Sequence, residues 1–126
     1  LHSALGLIDI MTSSGKPVRT VAVGLVASAA SMIFVSGTKG QRIMTEHSFM
    51  MTHQYSDAVD GNYHTLVAYR KIQDKIGNIM VDHYVKNSTL AKTKVKQFLL
   101  NEQDRWLTAV ECQKFGLCDL IQTPWQ

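Results

Sequence analysis

One serine, Ser28, stands where the chain changes character. The stretch Val21-Ala22-Val23-Gly24-Leu25-Val26-Ala27-Ser28-Ala29-Ala30-Ser31 reads as a buried strand, a tight turn and the start of a helix of small residues. A serine at such a turn sits among the unpaired backbone N–H groups of a helix N-terminus. Those groups can stabilise the oxyanion formed when a serine attacks a carbonyl. Ala27, Ala29 and Ala30 let a substrate backbone approach closely. The logic is that of a nucleophile elbow, although the sequence is not G-x-S-x-G. A plain N-cap serine on a tightly packed Ala/Ser helix would look the same. Ser31, one turn onward, reads as buried packing.

A nucleophilic serine needs a base, and the base needs an orienting acid. The chain has five histidines. His53 directly follows an apolar strand pattern and precedes a polar loop, the place where α/β folds put function. His64 and His83 fall on a long helical pattern and read as surface or packing residues. His47 lies in a turn, and His2 is too near the chain end to judge. For the acid, Asp104 stands out in Asn101-Glu102-Gln103-Asp104-Arg105-Trp106-Leu107. An ordinary Asp–Arg surface pair is the competing reading.

The elements that must position these groups follow from periodicity and punctuation. Residues 4–14 read as an amphipathic helix with Leu7, Ile8 and Met11 on one face, ended by Gly15 and Pro17. Residues 18–23 are β-branched and barely alternate, as in a strand buried on both faces. Residues 27–36 predict a helix, broken at Gly37-Thr38-Lys39-Gly40. Residues 42–44 and 48–52 predict strands, and residues 57–62 a polar loop. A long helix over 63–85 carries the stripe Leu66, Tyr69, Ile72, Ile76, Ile79 and Met80. It also carries Val67, Val81 and Tyr84, more apolar surface than one small sheet face covers. Residues 90–100 predict another helix. Thr108-x-x-Glu111 is a capping box for a short helix that stops at Gly116. Residues 117–122 predict a last strand. The alternation argues for an α/β layer fold.

Composition bounds the rest. With 126 residues the chain is at most one domain, and its 45% apolar content is ordinary for a globular protein. The net charge is +3, with scattered Lys and Arg. The densest region, 86–96, reads as the wet face of a helix. It lacks the basic, aromatic-interleaved stripe of a nucleic-acid surface. Cys112 and Cys118 read as free thiols in a reducing compartment, too few for a zinc site. No apolar run approaches the roughly 20 residues that span a bilayer.

Taken together, these residues resemble the proteolytic subunit of the Clp protease, the ClpP family. The family's G-x-A-A-S-M-G-A segment is similar to Gly24-Leu25-Val26-Ala27-Ser28-Ala29-Ala30-Ser31. Its A-G-x-K-G-x-R is similar to Ser36-Gly37-Thr38-Lys39-Gly40-Gln41-Arg42, and its M-I-H-Q-P to Met51-Thr52-His53-Gln54-Tyr55. The interval of 25 residues from Ser28 to His53 matches without a gap. Its E-R-D-R-F-L-S-x-x-E-A resembles the stretch from Glu102 through Asp104 to Cys112, and its Y-G-L-V-D resembles Phe115-Gly116-Leu117-Cys118-Asp119.

The resemblance implies a ClpP/crotonase-like fold of stacked β-β-α units, with helix 63–85 as a protruding handle. It implies a serine endopeptidase with Ser28, His53 and Asp104 as catalytic triad and the Ala29 N–H as an oxyanion donor. It further implies heptameric rings, stacked in pairs, a chamber for peptide or unfolded-protein substrates, and an ATP-driven AAA+ unfoldase as partner. No metal or organic cofactor is called for, nor a nucleic-acid or membrane partner, and the expected location is cytoplasmic. The family's second oxyanion donor, in a Gly-Gly loop, aligns just before Leu1, so the chain reads as one peptidase domain over 1–126 without its front. Three departures stand out: Ala29 for methionine, Tyr55 for proline, and Gln103 for an arginine that couples ring–ring contact to the triad. Rival readings are a Clp-like ring subunit that assembles without cleaving, a crotonase-type enzyme acting on coenzyme A thioesters, and a Ser–Lys peptidase.

Overall fold

Gly24 divides what reads in sequence as a single strand followed by a helix. In the computed structural model, which describes residues 1–123, the segment becomes two strands, β1 (Thr20–Ala22) and β2 (Leu25–Ala27). Gly24 takes φ +74°, a left-handed conformation that glycine adopts without strain. The helix that follows, α2 (Ala29–Val35), begins two residues later than the sequence pattern predicts.

The next run repeats the manoeuvre. Strands β3 (Arg42–Met44) and β4 (Phe49–Thr52) are separated by a turn in which both the N–H and the hydroxyl of Ser48 donate to the Thr45 carbonyl. β1 pairs in parallel with β3, and β2 in parallel with β4. Two adjacent runs of chain therefore pass side by side from one small sheet to another. The first sheet has the order β1-β3-β6, where β6 (Leu120–Ile121) is parallel to β3. The second has the order β2-β4-β5, where β5 (Arg105–Thr108) is antiparallel to β4. β5 is absent from the sequence reading. It follows a polar segment and spans only four residues, too few for alternation to register.

Helix α2 packs against both sheets and against α1 (His2–Ser13) and α3 (Tyr63–Lys86). Met32 and Val35 on α2 are fully buried with Met44, Met50, Leu99, Leu107 and Leu117. On α1 the buried pair is Ala4 and Ile8, one turn apart, while the predicted Leu7 is exposed. The 24-residue α3 is capped by the Asn62 side chain, which accepts from the Thr65 N–H. Its second half buries Ile76, Met80, Val81 and Tyr84, so Val81 and Tyr84 belong to the core and not to a free face. Its first half leaves Tyr63, Leu66, Val67 and Ile72 exposed.

The predicted helix over 90–100 is replaced by a single turn, α4 (Lys92–Lys94), and a π-helical turn over Val95–Leu99 closed by Leu100 N–H to Val95 C=O. The capping box forms as its spacing predicts. Thr108 Oγ1 accepts from the Glu111 N–H, and the Glu111 carboxylate accepts from the Thr108 N–H at the start of α5 (Ala109–Lys114). Cys112 and Cys118 are free and buried, and burial pushes both thiols up. Among the described residues no helix is long and apolar enough to cross a membrane.

The first sheet is locked from one end by Arg42 and Asp119. Asp119 Oδ2 accepts from Arg42 Nε and from the N–H groups of Gly40 and Arg42, and Oδ1 accepts from Arg42 Nη2 at 2.6 Å. Arg42 Nη1 donates to the Asn87 carbonyl at the end of α3. Burial pushes the Asp119 carboxyl up, but the hydrogen bonds from Arg42 outweigh it and hold the group below its usual range. Asp119→Ala would strand a guanidinium whose side chain is 4% exposed. The expected loss is about 3 kcal/mol, measured by urea unfolding at pH 7. A depressed folded-state value stabilises above the unfolded-state carboxyl range and loses that stabilisation as pH falls below about 4. The stability difference between wild type and Asp119→Ala should therefore shrink between pH 5 and pH 3.

Candidate active site

Parallel pairing of β2 with β4 sets Ala27 beside Met51, so the residues that follow each strand, Ser28 and His53, emerge close together. Ser28 Oγ lies 2.8 Å from His53 Nε2. The other ring nitrogen, Nδ1, is 2.5 Å from the Gln54 carbonyl oxygen, which can only accept. Nδ1 therefore carries the proton and Nε2 accepts from the Ser28 hydroxyl. This is the tautomer in which an imidazole can take a proton from serine.

Ser28 is the one described non-glycine residue with positive φ, at φ +56° and ψ −123°. Such a conformation costs about 1–3 kcal/mol and persists only where its surroundings over-determine it. The Ser28 N–H donates to the Met51 carbonyl at 2.9 Å. From the other side, Ser31 Oγ donates to the Ser28 carbonyl at 2.5 Å and lies 3.2 Å from the Met51 carbonyl. A hydroxyl has one proton to give. The third partner of Ser31, Tyr84 Oη at 3.0 Å, must then be the donor of that bond. Burial pushes the Tyr84 phenol up and keeps it protonated. Ser31 and Tyr84 thus brace the serine turn, the strand carrying His53 and the long helix through one buried node. The sequence marks Ser31 as packing but gives no sign of its bond to Tyr84, 53 residues away.

Ala29 is the first residue of α2, where an N–H has no intrahelical acceptor. Asp104 immediately precedes β5. The pair Thr52↔Arg105 makes Asp104 the next residue across from His53. Its carboxylate makes no hydrogen bond to His53 among the described residues, and the Gln54 carbonyl occupies Nδ1 instead. Sequence reasoning missed that carbonyl, since a backbone acceptor leaves no trace in residue type. His2 lines the same cavity as Ser28, His64 sits edge-on to Tyr63, and His83 Nε2 bonds the Met32 carbonyl and Ser36 hydroxyl. A cavity of about 730 Å³ opens beside Ser28, Ala29 and His53, with Met32, Ile72, Ile76 and Met80 as its apolar floor. No group of three His, Cys, Asp or Glu among the described residues is arranged to hold a metal ion.

The Clp protease family model matches residues 1–124. This chain belongs to the Clp protease family. An ATP-dependent Clp protease proteolytic subunit from Deinococcus radiodurans is 31% identical over 121 residues, covering 96% of this chain and 58% of its own length. Subunits of the same name from Bacteroides fragilis and Porphyromonas gingivalis are 30% and 32% identical over 125 and 123 residues, each covering 96% of this chain. They are covered over 58% and 54% of their own length, so the chain spans a little over half of the curated relatives it matches. The strained serine turn, the histidine at the strand end and the cavity beside them all lie within the part matched to the Clp protease family.

The buried node can be tested by stability. Ser31→Ala should leave the Tyr84 hydroxyl buried without a partner and cost about 1–3 kcal/mol in urea unfolding. Adding Tyr84→Phe to Ser31→Ala should then cost less than Tyr84→Phe alone, with a coupling of about 0.5 kcal/mol or more.

Proposed function

We propose that this chain carries the catalytic site of a serine endopeptidase, with Ser28 as nucleophile, His53 as general base and Asp104 as its orienting acid. The observation that carries the reading is the 2.8 Å contact between Ser28 Oγ and His53 Nε2 at a strained strand-to-helix turn. In the acylation step His53 takes the Ser28 proton while Oγ bonds to the peptide carbonyl carbon. The Ala29 N–H offers one contact to the resulting oxyanion. His53 then passes its proton to the leaving amine, and water releases the acyl group by the same route. As the imidazole becomes cationic, Asp104 is the nearby carboxylate able to balance it, reaching Nδ1 in place of the Gln54 carbonyl.

The fold reading deepens in the same terms. Each pair of strands that crosses between the sheets is followed by a helix, first α2 and then α3, which fits a ClpP/crotonase-like arrangement of β-β-α units in one peptidase domain over 1–126. The exposed Tyr63, Leu66, Val67 and Ile72 on the first half of α3 fit a handle that meets another subunit. The assembly proposed is a heptameric ring, alone or as a stack of two, receiving peptides or unfolded chains from an ATP-driven unfoldase. The names of the relatives tie those proteins to ATP. Gln103, where the resemblance calls for arginine, weakens the ring–ring part alone. A ring subunit that does not cleave is the second reading, favoured by the absence of an Asp104–His53 hydrogen bond. A fluorophosphonate probe that labels wild type but not Ser28→Ala supports the peptidase; absence of labelling supports the second reading.

For peptide hydrolysis, Ser28→Ala and His53→Ala should each cost roughly 10³-fold or more in kcat, and the double variant should be little worse, because such groups act as a unit. Asp104→Ala should cost less than either. An active Ser28→Ala protein overturns the assignment. Assembly is read by sedimentation at micromolar concentration and near-physiological salt. A specific ring contact needs about 1,600 Å² of buried surface, and the expected species is a heptamer or its dimer. A monomer under those conditions overturns the ring.

A further inference from the structure

The cavity beside Ser28 and His53 also carries a charge that the proposed reaction does not use. Tyr55 and Tyr69 both donate to Asp57 Oδ2, and Asp57 Oδ1 accepts from the Ala58 N–H at 2.8 Å. All three side chains line the cavity that holds Ser28 and His53. Tyr69 stands on α3, while Tyr55 and Asp57 belong to the loop after His53. The three side chains therefore close the loop onto the helix. Tyr55 also stands where the sequence departs from His-Gln-Pro, so a proline there would remove one donor.

The phenols hold the carboxylate without neutralising it. The bonds from Tyr69 and then Tyr55 keep the Asp57 carboxyl below its usual range. An ionised carboxylate offers about four acceptor positions, and three are in use. One lone pair on Oδ1 remains for a ligand. No lysine or arginine forms an ion pair with Asp57 among the described residues. Met32, Ile72, Ile76 and Met80 give the same cavity an apolar lining. The cavity thus combines an apolar lining with an anionic group and two aromatic rings. Lysine and arginine match that profile, with an apolar stem and a cationic end that also favours aromatic faces.

We infer that this cavity receives the substrate side chain next to the attacked carbonyl, and that Asp57 makes it select lysine or arginine there over neutral residues of the same size. The inference rests on Ser28 being the nucleophile. Because Asp57 is at an exposed rim, the selectivity is of the modest order of an accessible ion pair and is screened by salt.

The test uses the protein at its native length and in its assembled form. Fluorogenic peptides differ only in the residue before the cleaved bond: lysine against norleucine, and arginine against citrulline. The arginine–citrulline pair removes the charge at nearly constant size, and norleucine is one heavy atom shorter than lysine. Wild type should favour the charged member by about 2- to 5-fold in kcat/KM at low salt, and less at 0.5 M NaCl. Asp57→Asn, which still offers both phenols an acceptor, should bring the ratio close to one. Tyr69→Phe, which leaves the charge in place, should keep it above one. Equal or greater rates for norleucine and citrulline in wild type, or a ratio that survives Asp57→Asn, overturn the inference. Fluorophosphonate labelling separates the two levels. If Ser28 is labelled and the neutral peptides are preferred, the selectivity alone fails. If Ser28 is not labelled, the nucleophile reading fails and the selectivity falls with it.

Discussion

The hydrogen bond from the Ser28 N–H to the Met51 carbonyl is the constraint on which the site depends. It continues the β2–β4 ladder one residue past the end of β2, into a backbone conformation that a serine does not adopt unaided. A strained residue relaxes unless several bonds hold it together. Here Ser31 clamps the Ser28 carbonyl from within the helix, and Tyr84 donates to Ser31 in turn. The serine hydroxyl is therefore presented by a turn fixed at both ends. Its neighbour His53 is carried by the same ladder that fixes the turn.

That arrangement requires two small sheets and not one. Were β1 and β2 a single straight strand, Ser28 would be the ninth residue of an extended run and the helix behind it would miss one sheet or the other. The breaks at Gly24 and at Thr45–Ser48 let both strand pairs change sheet together, so α2 can pack on each. The fully buried Met32 and Val35 lie at that junction, with Met44 from the first sheet and Met50 from the second. The core and the serine turn are consequences of one geometric step. Damage to the crossing would be felt at Ser28 before it was felt at the far ends of the sheets.

What was legible in the sequence is what a single residue type announces. Gly24, the small residues around Ser28, the capping box at Thr108 and the stripe of α3 each have a local cause, and the elements they predict are present. β5 was not legible, because the strand identity of Arg105–Thr108 comes from pairing with β4 and not from its own four residues. The turn over Val95–Leu99 reads in sequence as ordinary helix, since its five-residue hydrogen bond has no compositional mark. Val81 and Tyr84 were assigned to an outer face although they are core, because a helix that leaves the body midway has two environments along one stripe. Of the site, the nearness of Ser28 and His53 follows from motif spacing and parallel register together. The Gln54 carbonyl and the Ser31–Tyr84 bond are invisible to any pattern of residue types, for backbone acceptors and distant partners appear only once the chain is folded.

The unequal hold on the two nitrogens of His53 has a consequence for how the site would operate. A neutral imidazole needs only an acceptor at Nδ1 to set its tautomer, and the Gln54 carbonyl suffices for that. An imidazolium gains more from a carboxylate than from a carbonyl, because charge meets charge. The pairing of β4 with β5 holds Asp104 across from His53, within the span of a strand pair. Exchange of the carbonyl for the carboxylate, as proposed, would leave the pairing of β4 with β5 in place. The loop that would have to yield runs from Gln54 towards Asp57, and Tyr55 and Tyr69 tie that loop to α3. The first half of α3 also carries the exposed apolar face that a neighbouring subunit would cover. Contact at that face and the partner of His53 Nδ1 are thereby connected through one short stretch of chain. If a subunit packs on that face, as proposed, it would act on the loop first and on the imidazole through it.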